Sequence, residues 1–251
     1  MMPRVVTAEL LDGLAADDPS ALRARRDLRR VHRAMFTRRI LCKALTDMQM
    51  APNNRAPLRI LELGAGDGSL MLRVAQALAP EWPAVELTLL DRQVLLAPAT
   101  QADFTQLGWT VVAQVADVLD WAEAANHATG TATRMVRHRP RWDLVLANLF
   151  LHHFEGAQLA SVLSAVTGRS NRFLACEPHR GTLALVGSHL VGAIGANGVT
   201  RKDAVLSVHA GFRGQEITAL WPDPLGEWQT TEYAARPFSH CFHAERLGAG
   251  A

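Results

Sequence analysis

The sequence predicts a doubly wound α/β domain, a mostly parallel sheet covered by helices on both faces. Three observations carry this reading. From Leu58 to Cys176 short apolar runs alternate with amphipathic segments, the pattern of right-handed βαβ crossovers. The first apolar run opens into a glycine-rich turn, Gly64-Ala65-Gly66-Asp67-Gly68, with helical apolar spacing beyond it. At 251 residues, 49% of them hydrophobic, the chain suffices for one such domain with a small appendage, and hardly for two.

Residues 1–50 read as a helical cap and residues 51–251 as the main domain. Asp18 or Ser20 is placed to cap a helix running to about Met48, on which Leu28, Val31, Met35 and Ile40 fall near one face. Its other faces carry a dense set of arginines, from Arg23 to Arg39. Residues 51–57 form a linker by composition. Strands follow at Leu58–Leu63, Val85–Leu90, Thr110–Val115, Trp142–Ala147 and Arg172–Cys176, with helices at Gly68–Leu78, within 93–107, from 119, and at Gly156–Thr167. The polar stretch Ala128–Arg139 reads as a loop. Gly181–Gly198 is a glycine-rich apolar helix, and Glu216–Trp221 and Ala235–His243 read as two last strands.

Composition excludes several classes. A net charge of +2 gives no reason to expect nucleic acid as a partner. Three widely spaced cysteines, Cys42, Cys176 and Cys241, make neither a disulfide framework nor a zinc site and fit a reduced cytosol. The start has no apolar run resembling a signal peptide, and the longest apolar stretch, Thr182–Ala196, is shorter than the roughly twenty residues a spanning helix needs. The expectation is a cytoplasmic protein.

The chemistry concentrates at the carboxyl ends of the strands. A turn between a strand and a helix gathers free backbone N–H groups around a ligand space. A dinucleotide fingerprint would place its third small residue at position 69, which is Ser69; the third glycine falls instead at Gly68, with Glu62 two residues ahead of Gly64. The segment ILELGAGDGSL resembles the first motif of the class I S-adenosylmethionine-dependent methyltransferases. The resemblance implies a Rossmann-like seven-stranded sheet in the order 3-2-1-4-5-7-6 and S-adenosylmethionine as cofactor, with S-adenosylhomocysteine as product. It implies a cofactor site made of Glu62, Gly64, Ala65, Gly66, Gly68, Asp91 with Arg92, Asp117 with Val118, and Asn148 with Leu149. In that reading Glu62 acts on the cationic amino acid end, Asp91 accepts the ribose hydroxyls, Asp117 lies near the adenine amino group and Val118 packs on the ring.

Asn148-Leu149-Phe150 lacks the Asn/Asp-Pro-Pro-Tyr/Phe motif of enzymes acting on exocyclic amino groups, which disfavours such a target. The following His152-His153 resembles a pair found in ubiquinone-type and natural-product methyltransferases. Imidazole is suited to accept a phenolic proton near neutral pH, so either histidine is a candidate base; packing at the next helix is the plainer alternative. Glu177 or His179, after the fifth strand, are candidates to orient a base or bind a substrate hydroxyl. No histidine spacing suggests a metal set.

From Asn197 to Phe212 the blocks Asn197–Arg201, Asp203–Val205 and Ala210–Phe212 resemble bacterial methyltransferases encoded beside type III polyketide synthases. That implies O-methylation of a small phenolic, polyketide-derived or lipid-like acceptor, with Arg201 and Asp203 on the substrate side. A quinone-type ring C-methyltransferase and a non-catalytic cofactor-binding partner of a biosynthetic enzyme are the alternatives. The basic N-terminal helix has three readings: a solvated cover of the pocket, a lid over an acidic or thioester-linked substrate, or a peripheral contact with anionic membrane.

Overall fold

A computed structural model describes residues 2–48, 56–130 and 141–248. Most of the expected linker 51–57, and the stretch beyond residue 130 in the expected loop, lie outside these residues. The strands are β1 (Leu58–Leu63), β2 (Val85–Asp91), β3 (Trp109–Val115), β4 (Leu144–Asn148), β5 (Arg172–Pro178), β6 (Trp228–Ala235) and β7 (Ser239–Arg246). They form one sheet in the order β3-β2-β1-β4-β5-β7-β6, as expected; β1 to β5 are parallel and β7 runs antiparallel to both its neighbours.

The helices are α1 (Pro19–Ala34), α2 (Thr37–Asp47), α3 (Ser69–Leu78), α4 (Pro98–Gln106), α5 (Val118–Gly130), α6 (Gly156–Arg169), α7 (Thr182–Leu190), α8 (Gly198–Ala210) and α9 (Glu216–Leu220). Two apolar layers sandwich the sheet. On one face Leu41 and Leu45 of α2 and Val74 of α3 pack with Ile60, Leu87 and Leu146. On the other Val162 and Val166 of α6 pack with Leu61, Val145 and Phe173. β4 is buried at every position, as a parallel central strand must be when helices cover both its faces.

Asp18 caps α1, its carboxylate accepting the N–H groups of Ser20 and Ala21 at 2.6 and 3.2 Å. The single long helix expected over residues 21–48 breaks at Phe36, whose φ of 57° is left-handed. No Gly or Pro marks the break. α2 docks its buried face on the sheet, while Leu28, Val31 and Met35 of the preceding segment turn over the sheet's carboxyl edge and line a cavity there. The expected cap of residues 1–50 thus divides into a covering part and a part of the sheet's own layer.

The C-terminal third needs further correction. Residues 216–220 form a helix and not a strand: Ile217 within it and Trp221 just after it are buried, and the Glu232 carboxylate accepts the N–H groups of Ile217 and Thr218 at 3.0 and 2.8 Å. The sixth strand is 228–235, an edge strand whose exposed positions gave no clean alternation, and the seventh runs 239–246 instead of 235–243. The apolar helix expected over 181–198 ends at Leu190 and continues as a 3-10 turn to Ile194, and a separate α8 follows, capped by Asn197. Among the described residues no helix is long and apolar enough to cross a membrane.

Candidate active site

A cavity of about 910 Å³ runs along the carboxyl edge of β1 to β5, under α1 and the N-terminal segment. Its lining is partly polar and partly apolar.

The polar part of the lining is built on the turn after β1. Gly64 has a φ of 65°, and a Cβ there would stand 2.1 Å from the Phe150 ring, so backbone angle and space both require glycine. Gly66 opens to empty space, and Ala65 donates its N–H to the Leu90 carbonyl at 3.1 Å. Gly68 begins α3 and faces Leu89 of β2; of the expected cofactor residues it alone does not line the cavity.

Glu62 is 4% exposed and its Oε2 has no hydrogen-bond partner. Burial, with repulsion from Asp67 and Asp91, pushes its carboxyl up to about 8. Asp91 closes β2 with one oxygen accepting the Gly66 N–H at 2.9 Å and the other the Gln93 N–H at 3.0 Å. Arg92 lines the cavity and lies 3.7 Å from Asp12. Asp117 accepts the Leu119 N–H at 2.7 Å, and Val118 is buried beside it. Asn148 ends β4 with a buried, unpartnered Oδ1, and Leu149 follows at a left-handed φ of 48°. Two buried acceptors without partners, Glu62 and Asn148, thus face the cavity beside an open glycine turn; a ligand bearing an ammonium group satisfies both.

The strained Leu149 turns the chain into the segment carrying the histidines, and Glu177 holds that segment. Its fully buried carboxylate accepts the N–H groups of Phe150, Leu151 and His152 at 2.9–3.3 Å and pairs with His152 Nδ1 at 2.8 Å. It does not line the cavity; it acts by positioning His152. The other imidazole nitrogen, Nε2, meets Glu9 Oε1 at 3.3 Å. Burial works against a charge on His152, but its hydrogen bonds to Glu177 and Glu9 prevail and raise it to about 9. His153 is more open, its Nδ1 3.1 Å from Asp12 and its ring 4.3 Å from that of His152. Burial disfavours the Asp12 charge, but the bond to His153 and the nearby Arg92 hold that carboxyl below its usual range.

Other expected residues fall elsewhere. His179 stacks on His240 and does not line the cavity; nor does its neighbour Arg180, not among the expected residues, which binds Glu216, the Met2 carbonyl and the Gly211 carbonyl. Arg201 is exposed. Asp203 lines the cavity and accepts the N–H groups of Leu10 and Leu11 at 2.8 and 3.0 Å, tying down the N-terminal segment.

That segment is what sequence reasoning missed. Arg4 reaches the Phe154 and Ala210 carbonyls, both at 2.8 Å, Glu9 bonds to Ser207 and His152, and Asp12 meets His153. No local signal marks Glu9: it lies 143 residues from its histidine.

Leu28, Val31 and Met35 from the α1 side, with Ala184, Val191 and Ile194, give the cavity an apolar part of its lining.

No protein-family model matches the chain, and no curated protein matches it in sequence. Solved structures do resemble it. The plantazolicin methyltransferase BpumL, in complex with a triazolic desmethylPZN analog and SAH, superposes with a TM-score of 0.58 at 13% identity, over 91% of this chain and 92% of that one. Its complex with a monoazolic analog gives 0.56 at 14%, over 91% of each chain. The magnesium protoporphyrin IX methyltransferase ChlM from Synechocystis PCC 6803, with bound SAM, fits more loosely, at 0.47 and 13%, over 94% of this chain and 88% of that one. At these identities the first two likenesses establish a shared fold.

Proposed function

We propose that the chain is an S-adenosylmethionine-dependent methyltransferase that methylates an oxygen of a small phenolic or polyketide-derived acceptor. One observation carries the reading. The buried, unpartnered Glu62 carboxylate and Asn148 carbonyl lie with Asp91 and Asp117 at successive strand ends around an open glycine turn, and the histidine pair lines the same cavity. Glu62 and Asn148 would hold the amino acid end of the cofactor, Asp91 its ribose and Asp117 with Val118 its adenine. The likeness to BpumL, crystallised with SAH, supports this choice.

When bound, the cofactor supplies an electrophilic methyl group for in-line displacement. The protein's own part is to position the nucleophile and take its proton. His153 is suited to take the proton, since it lines the cavity and the ionised Asp12 behind Nδ1 stabilises the imidazolium formed on protonation. His152, raised to about 9 between two carboxylates, is already charged at neutral pH and serves to position the segment. The apolar part of the cavity's lining favours an acceptor with a hydrocarbon part.

The test is turnover of labelled S-adenosylmethionine against a panel of phenols, with products identified by mass spectrometry. An ether cleaved by boron tribromide is expected, together with a fall of about a hundredfold or more in His153→Asn. A product resistant to cleavage would replace the reading with ring C-methylation, and undiminished activity of His153→Asn would remove the base assignment.

A further inference from the structure

We propose that Glu9, His152 and His153 form a binding site for a divalent transition-metal ion of the zinc or cobalt kind, with at least one ligand position open to the cavity. The three side chains each offer one ligand atom, and these atoms lie within 4.8 Å of one another. The His152, Glu9 and His153 side chains are 3%, 13% and 19% exposed, so this is no solvated surface cluster.

The geometry already resembles part of a coordination shell. A tetrahedral ion with bonds of about 2.1 Å keeps its ligands roughly 3.4 Å apart; His152 Nε2 and Glu9 Oε1 are 3.3 Å apart. Behind each imidazole stands a carboxylate, Glu177 on His152 Nδ1 at 2.8 Å and Asp12 on His153 Nδ1 at 3.1 Å. Such partners hold Nδ1 as the protonated nitrogen and leave Nε2 as the ligand, the arrangement that orients histidines around metals. Glu177 is itself fixed by three backbone N–H groups, so His152 has little freedom to turn away.

Charge argues the same way. Three carboxylates, Glu9, Asp12 and Glu177, are in direct contact with the two imidazoles. A dication among these side chains offsets two of the negative charges. Two imidazoles with one carboxylate select zinc, cobalt, nickel or ferrous iron over magnesium or calcium, which prefer oxygen ligands. Because all three residues line the cavity, a position not taken by protein faces the bound acceptor. The inference shares His153 with the proposed function: its Nε2 takes the acceptor's proton only while no ion is bound and is a ligand when one is, so the ion competes with the base role, and cation binding requires neither cofactor nor turnover.

Titration of the full chain, stripped of metal with a chelator, with Co²⁺ alone tests this. The expected result is one saturable equivalent with visible d–d absorption, and release of a proton. Glu9→Gln is expected to weaken it at least about tenfold while leaving S-adenosylhomocysteine binding intact, which certifies the fold. His127→Asn, at an exposed histidine, is expected to change nothing. Absence of a saturable band in the wild type, or equal binding in wild type and Glu9→Gln, overturns the proposal and leaves an ion-paired cluster. The methyltransferase reading is tested separately, by turnover of the labelled cofactor.

Discussion

Replacing Glu62 by glutamine separates what the site does for the ligand from what it does to the fold. In the folded protein burial raises this carboxyl to about 8, from an ordinary value of 4.5. The folded state therefore binds the proton more tightly than the unfolded chain. Stability from this source is complete below pH 4.5 and is lost as pH rises toward 8, by about 1.4 kcal/mol per pH unit. Over the whole interval the loss approaches about 5 kcal/mol, a large fraction of a typical folding free energy. The Glu62→Gln side chain does not titrate and escapes it. His152 acts in the same direction over a higher window: its raised value favours folding below pH 6.5, and that contribution is lost as pH rises through 9. The difference between variant and wild type, in which His152 cancels, is therefore the quantity to read.

Urea unfolding of the ligand-free proteins at pH 5, 6, 7 and 8 measures it. The expected outcome is a Glu62→Gln variant that gains on the wild type at each step, the gain flattening above pH 8. Calorimetry supplies the other half. S-adenosylhomocysteine, with its ammonium group, should bind the wild type with release of a proton below pH 8 and bind the variant at least about tenfold more weakly. A stability difference independent of pH would refute the electrostatic argument, and unchanged affinity would refute the role of Glu62.

Two further outcomes follow from the same geometry. Gly64→Ala places a left-handed alanine against the Phe150 ring and is expected to abolish cofactor binding; adding Phe150→Ala removes the overlap but leaves a backbone cost of about 1–2 kcal/mol, visible as partial rescue in calorimetry. Glu177→Ala leaves three N–H groups and an imidazolium without their acceptor and should lower stability by about 3–5 kcal/mol, while Glu177→Gln, keeping one carbonyl oxygen, should recover part of it in urea unfolding and move the pH profile of turnover.

Much of this was legible in the sequence because it is local. The alternation from Leu58 to Cys176 specifies the strand and helix order, since each apolar run must find a sheet position covered on both faces. The glycine turn and the polar residues ending β1 to β4 were legible for the same reason: a residue at the carboxyl end of a parallel strand necessarily faces the same edge, whatever the loops do. Beyond β5 the signals were weaker. Residues 216–221 read as a strand because a helix of five residues is too short to display a period, and what holds it is the Glu232 carboxylate on a neighbouring strand.

The histidine pair marks the boundary between the two kinds of information. The sequence by itself determined that His152 and His153 follow the fourth strand and so sit at the ligand edge. Only the tertiary structure decided their difference, because it depends on partners brought by chain closure from the N-terminal segment: Glu9 for His152, which the neighbouring strand's Glu177 already holds, and Asp12 for His153. Hydrogen bonds and charges act over a few ångströms, and sequence spacing carries no record of a neighbour more than a hundred residues away.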